Sequence, residues 1–163
     1  MNQQLQQGMN ANCGVMFPHY DEAVDGPAHR CCCGQLNCIE SFISGTGITW
    51  QLHHLYGHHD IDSVAFLKDI LSGNDERARH YLELFRSQLS RSLAMLVNIL
   101  DPDMLVVGGG LSNVPQLFDG LHHLTGHYTF GHYNNTPVRT AIHGDSSGVR
   151  GAAWLGRQAL SAT

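Results

Sequence analysis

The stretch Arg30-Cys31-Cys32-Cys33-Gly34-Gln35-Leu36-Asn37-Cys38-Ile39-Glu40 holds four of the chain's five cysteines within eight residues. Cys31 and Cys33 lie two apart, and Cys38 returns after a glycine-containing loop. Three thiolates on so tight a turn can occupy three corners of a zinc tetrahedron. A closed structural site needs a fourth ligand, for which His19, Cys13 and His29 are the candidates. Cys32 is expected to point away if Cys31 and Cys33 both point in. The competing reading is a loop of ordinary reduced thiols. Clustering of this kind suits a metal in a reducing compartment better than a disulfide framework, so a cytoplasmic location is expected.

A second chemical feature is Gly108-Gly109-Gly110. Missing side chains let a nucleotide approach the backbone, and a helix start after them would add positive potential. The run is neither a Walker motif nor a Rossmann fingerprint, since the Gly-Lys-Ser/Thr and the required glycine spacing are absent. Read alone, it is a turn. Glu40, read alone, is a capping glutamate at a helix start. His53, His54, His58, His59, His122, His123, His127 and His132 are read as solvated surface residues rather than a metal cluster.

These groups need elements to position them. A helix is expected from about Cys38 through Ile39, Phe42 and Ile43 to a turn at Gly45-Thr46-Gly47, and another from Ile48 to Tyr56. Asp60 suits the N-cap of a helix over 61–71, with Gly73 closing it. Asn74 then caps the clearest element. Ala78, Tyr81, Leu82, Phe85, Leu89, Leu93, Leu96, Val97 and Leu100 recur at three- and four-residue spacing, giving about 26 residues of amphipathic helix ended by Pro102. Met104 to Val107 reads as a buried parallel strand. Ser112 or Asn113 is expected to cap a helix reaching Leu124, residues 125–136 a loop, Val138–Ile142 a strand, and Gly148–Leu160 a closing helix in which Gly148 and Gly151 allow close packing. The order implies an α/β layered lobe. Residues 1–12, Gln/Asn-rich and aperiodic, are expected to form a disordered leader.

Composition narrows the classes. With 163 residues the chain has the size of one domain or one lobe. Hydrophobic residues make up 42% and charged residues 14%, which argues against a disordered solvating chain. Lys+Arg number 9 against 14 Asp+Glu, so the net charge of −5 disfavours nucleic acid as a partner. The apolar run Leu93–Leu100 is interrupted by Asn98 and too short to span a membrane, and the N-terminal residues lack the character of a signal peptide.

RCCCGQLNCIES, NILDPDMLVVGGGLSN and HGDSSGVRGAAWLG together resemble the ROK family of bacterial sugar kinases and repressors, and within it the N-acetylglucosamine kinases. The resemblance covers about residues 13–160. It implies the C-terminal lobe of an actin-like (ribonuclease H-like) ATPase fold over 13–163, with a zinc loop at 29–40 carrying Cys31, Cys33 and Cys38 and with His19 as the first choice of fourth ligand, since it stands twelve residues before Cys31, close to the spacing of the shorter family members. It implies that Glu40 accepts hydrogen bonds from sugar hydroxyls, a role that suits two carboxylate oxygens. It places Gly108, Gly109 and Gly110 on the adenosine side of an ATP cleft. The family activity would be ATP- and magnesium-dependent phosphorylation of N-acetyl-D-glucosamine to the 6-phosphate, with amino sugar and ATP as ligands. The alternative is a non-catalytic, zinc-stapled module of a sugar-sensing repressor.

Three departures stand out. Aligning Phe17-Pro18 with the family's equivalent pair puts Cys13-Gly14 where the family has Gly-His, and no glutamate precedes it. Asn37 stands where the family usually has glycine, a mild change because Asn tolerates a left-handed backbone. The Asp-x-Gly-x-Thr phosphate loop and the catalytic aspartate are absent from these 163 residues. The chain is therefore expected to be inactive alone and to be a lobe separated from a partner lobe, by a split gene or an incomplete reading frame. A homodimer through the long helix is a further expectation.

Overall fold

The computed structural model describes residues 15–57, 67, 72, 76–133 and 135–161. The expected leader, Cys13, His58, His59, most of the helix expected over 61–71 and the Asn74 cap lie outside them. The elements, in chain order, are α1 (Glu22–Asp25), α2 (Glu40–Ile43), α3 (Gly45–Tyr56), α4 (Glu76–Leu100), β1 (Leu105–Val107), α5 (Leu121–Tyr128), β2 (Val138–Thr140) and α6 (Ser147–Ser161).

The long helix α4 organises the rest. Its apolar stripe supplies Tyr81, Leu82, Leu84, Phe85, Leu89 and Leu93 to a core completed by Ile48 and Leu52 of α3 and by Val114, Leu117 and Leu121. Tyr81 and Phe85 are almost wholly buried, as the three- and four-residue spacing predicts. The helix runs 25 residues against the expected 26.

Gly45-Thr46-Gly47 is the first turn of α3 rather than a separate turn. The Ser44 hydroxyl accepts the Gly47 N–H at 3.0 Å, an N-cap that pulls the helix start back three residues. Gly47 has no substitute there, because a Cβ would stand 2.5 Å from the Ser41 carbonyl oxygen.

The two strands pair in parallel, Leu105 with Val138 and Val107 with Thr140. The expectation of a buried strand is corrected. Leu105 and Val107 are half-buried, Val106 is 62% exposed, and both strands are one residue or more shorter than read. The helix expected from Ser112 or Asn113 to Leu124 is also corrected. Residues 110–113 and 115–118 form two 3₁₀ turns, and α5 starts only at Leu121. Val114, preceding Pro115, is extended at φ −117°, ψ 82°, as the proline ring requires, and Gly120 turns left-handed before α5. The expected loop over 125–136 accordingly gives its first four residues to α5. The closing helix is observed as Ser147–Ser161, but nothing approaches within 4 Å of a Cβ at Gly148 or Gly151, so the close packing expected of them is not seen among the described residues.

Candidate functional site

The cysteine loop is a narrow hairpin. Arg30 and Leu36 form an isolated antiparallel bridge. The Cys31 N–H donates to the Gln35 carbonyl at 2.8 Å, and the Gly34 N–H closes the turn on the Cys31 carbonyl at 2.9 Å. Arg30 folds along the outside, its guanidinium donating to the Gly34 carbonyl at 2.7 Å. Asn37 sits at φ 56°, the left-handed conformation expected where the family has glycine. It also works as a clamp: its N–H and side-chain oxygen bind the His29 carbonyl and N–H at 2.8 and 2.9 Å, and its carbonyl accepts the Phe17 N–H at 2.7 Å.

This turn brings Cys31, Cys33 and Cys38 together, with their sulfurs within 4.8 Å of one another. The Cys33 and Cys38 sulfurs are 3.5 Å apart. The Cys33 backbone N–H points at the Cys31 sulfur. With the neighbouring thiols it outweighs burial and draws the Cys31 thiol down to about 6 from the ordinary 9.0. Thiolate character at neutral pH is what a soft metal requires, so the donor set fits zinc.

His19 is not among the side chains that converge on the cysteines. Its carbonyl accepts a hydrogen bond from Arg91 of α4 at 2.9 Å, its backbone is left-handed at φ 55°, and its exposed ring borders a hollow lined by Arg91, Met95, Asn98 and Tyr128. The twelve-residue spacing that favoured His19 ignored this anchorage to α4. His29 packs instead against Trp50, ring centroids 4.1 Å apart, and burial there pushes its imidazole pKa down, with His54 adding to the shift.

Glu40 opens α2 two residues after Cys38, exposed to solvent, and its carbonyl accepts the Ser44 hydroxyl at 2.6 Å. Its short helix is anchored through Phe42, wholly buried and stacked on Phe17 at 4.5 Å.

A buried ion pair that pattern reading did not single out fixes the loop's entry segment to α4. Asp25 is 1% exposed and accepts the Arg91 guanidinium through both oxygens, the Gln88 amide at 3.2 Å and the Asp21 N–H at 3.0 Å. Arg91 also lies over the Phe17 ring, 4.6 Å from its centroid. The available signal was Gln88, Arg91 and Ser92 interrupting the apolar stripe at helical spacing. A charge on a buried stripe requires a partner.

The glycine turn lies after β1. Gly109 has φ +85° with open space around it, and the Ser112 hydroxyl donates to its carbonyl at 2.6 Å. The fold brings this turn against residues 141–144: a Cβ on Gly108 would touch that of Ala141 at 3.4 Å, and one on Gly144 would meet the Asn113 side chain at 3.1 Å. Two of the three stretches that carry the family resemblance thus pack together. A 3₁₀ turn, not an α-helix, follows the glycines, so the positive helix end expected there is absent. His53 and His122 are half-buried, and His54, His123, His127 and His132 are exposed; no metal-holding group forms among them in the described residues. No helix among the described residues is long and apolar enough to cross a membrane.

The comparisons with known proteins agree with this architecture. The ROK family pattern matches residues 1–159, and the chain belongs to the ROK family. N-acetyl-D-glucosamine kinase of Shigella boydii serotype 4 is 36% identical over 132 residues, covering 81% of this chain and 43% of that protein. The enzyme of the same name from Citrobacter koseri is 37% identical over 131 residues, covering 80% and 43%. The chain thus spans less than half the length of the curated relatives it matches. Among solved structures, a ROK hexokinase from Thermus thermophilus superposes with a TM-score of 0.66 at 22% identity, over 80% of this chain and 44% of that one. A ROK family glucokinase from Streptomyces griseus, solved with glucose and AMPPNP, also gives 0.66, at 23% identity over 87% and 51%. The fold is that of the C-terminal lobe of an actin-like ATPase.

Proposed function

We propose that this chain is the sugar- and adenosine-facing C-terminal part of an N-acetylglucosamine kinase, transferring phosphate from ATP to the sugar's 6-hydroxyl, and that it is inactive without a lobe bearing a phosphate loop. The observation that carries the reading is the converging trio Cys31, Cys33 and Cys38 with Glu40 two residues beyond, inside a stretch about one-third identical to N-acetyl-D-glucosamine kinases. In this reading zinc bound by the cysteines is structural. It locks the hairpin whose end sets the start of α2, and α2 presents the Glu40 carboxylate to sugar hydroxyls. The bare backbone at Gly108, Gly109 and Gly110 accepts the adenosine end of ATP. Magnesium and most phosphate contacts belong to the lobe that bears the phosphate loop. Domain limits of 13–163 for the lobe and 29–40 for the zinc loop follow from the same reading.

Phosphoryl transfer needs a phosphate cradle, magnesium and a base for the attacking hydroxyl, and loss of a base alone costs about 10²–10⁴ in rate. The 163-residue chain should therefore show no sugar-dependent ADP release; turnover at an ordinary kinase rate would refute the division of labour. Ligand-observed NMR should detect weak N-acetylglucosamine binding that Glu40→Gln removes. It should also detect weak binding of adenosine and ATP alike that Gly109→Val removes, since the left-handed backbone rejects a branched residue. Equal binding by either variant would remove that residue from the site.

A further inference from the structure

Two stretches of the chain carry no Asp, Glu, Lys or Arg: residues 92–100, the C-terminal end of α4, and residues 120–138, which include α5 and the turn after it. The fold packs α5 against α4. Asn98 ties the two together: its side-chain oxygen accepts the Phe130 N–H at 2.9 Å, and its amide donates to the Tyr128 carbonyl at 3.2 Å. The buried Thr129 hydroxyl donates towards the Gly126 and Tyr133 carbonyls, 2.9 Å from each, and fixes the same turn from inside. Phe130 is therefore held on an anchored backbone, yet it is 94% exposed, and Ile99, next to Asn98, is 70% exposed. Asn98 and Tyr128 also line the hollow beside the His19 ring, whose volume is about 170 Å³. Its apolar members are Pro18, Ala94, Met95 and Ile99, and the charge of Arg91 is already paired with Asp25. A cavity of about 150 Å³ admits a benzene ring, so the hollow has the size of a phenyl side chain.

We propose that two copies of this chain meet on this face about a two-fold axis, Phe130 of each filling the hollow of the other. Knob and hollow are joined through Asn98 and Tyr128, so they stand side by side on one surface, and a two-fold operation makes both insertions at once. Charge favours a second copy as the occupant. The net charge of −5 lies outside these two stretches, so two copies repel each other over much of their surface but not here. The area agrees. Weighted by their exposure, Phe130, Tyr133, Tyr128 and Ile99 present roughly 500 Å² of side chain, at about 150–250 Å² per aromatic. That matches the apolar share of an interface of about 800 Å² per partner, since about 65% of a homodimer interface is non-polar. Anchoring the turn beforehand lowers the entropy cost of docking. The homodimer expected above named the long helix as a whole; the contact assigned here is its charge-free end together with the turn after α5.

Analytical ultracentrifugation of the full chain tests this. At about 0.1 mM, far above a micromolar dissociation constant, twice the chain mass of 17.9 kDa supports the proposal, and a single-chain mass overturns it. Phe130→Ala should raise the dimer dissociation constant at least about 30-fold, the effect of losing an interface anchor. Phe130→Asp should sediment as one chain with an unchanged far-ultraviolet circular dichroism spectrum, because so exposed a side chain supports no core. Ile142→Asp is the control: that residue is 96% exposed just after β2, away from this face in sequence, and its variant should remain a dimer. A dimer that survives Phe130→Asp, or that Ile142→Asp abolishes, overturns the assignment. A benzophenone side chain placed at position 130 gives an independent readout. Photocrosslinks to Met95 or Ile99 of the other copy support the two-fold contact. Crosslinks only within one chain, or only to a different protein while the chain alone stays single, overturn it.

Discussion

Replacing the buried Asp25 of α1 by alanine should cost several kcal/mol, because it strands a charge rather than removing a contact. Arg91 is 6% exposed and directs its guanidinium into the Asp25 carboxylate, which is itself 1% exposed. Among the described residues, without Asp25 the guanidinium keeps the carbonyls of His19 and Ser87 and the Phe17 face. Breaking a buried pair from one side costs about 3–5 kcal/mol. Folded domains are stable by only about 5–15 kcal/mol, so Asp25→Ala should remove about a fifth of the total or more. Arg91→Ala should cost a similar amount, because it leaves the carboxylate unpaired and loses the cation–π contact. The double variant leaves no stranded charge, so its cost should fall short of the sum by about 0.5–3 kcal/mol. Urea denaturation of the four proteins, followed by circular dichroism and with the metal state held constant, measures the cycle. A loss below about 1 kcal/mol in Asp25→Ala, or strict additivity in the double variant, would refute the argument that burial makes this pair costly to split.

Two further outcomes follow from local geometry. In the metal-free chain the Cys31 thiol, drawn from 9.0 to about 6, adds stability that is complete above pH 9.0, shrinks below it and is gone once pH falls through about 6. Thiolate ultraviolet absorbance should show one step near pH 6 that Cys31→Ser lacks, and a first step near the ordinary value would contradict the sulfur-directed N–H. Gly47→Ala places a methyl 2.5 Å from a backbone oxygen that has no flexible end to move aside, so overpacking should cost about 1–3 kcal/mol; an unchanged melting temperature would show that the α2–α3 corner relaxes freely.

What the sequence disclosed was whatever is local and periodic. The repeat from Ala78 to Leu100 defines α4 to within a residue or two, because one face of a long helix must find the core whatever surrounds it. Asn37 was legible as a left-handed position because it stands where the resembling family usually has glycine, and Asn tolerates that backbone. The three cysteines were legible because a short loop cannot separate them. The misreadings share a cause as well. Pro115 and Gly120 were overridden by the apolar residues around them, which still reach the core but from two 3₁₀ turns and a later helix. His19 was ranked by spacing, and the hydrogen bond that its backbone carbonyl accepts comes from Arg91, 72 residues away, which no local spacing shows. The Asp25–Arg91 pair spans 66 residues, and no pattern within a window of ordinary length contains both partners.

The ring stack beside the cysteine loop gives this lobe an optical gauge of its own. Trp50 meets the His29 imidazole edge-on at 4.1 Å and stacks on that of His54 at 4.5 Å, and His29 begins the segment that the hairpin closes. A protonated imidazole quenches indole emission strongly on contact, whereas a neutral one does so weakly. Trp154, the chain's other tryptophan, is 56% exposed on α6 and supplies a steady, solvent-shifted background. Any event that tightens or loosens the hairpin changes how His29 sits against the indole. The brightness of Trp50 thus registers the state of a loop that carries no chromophore itself.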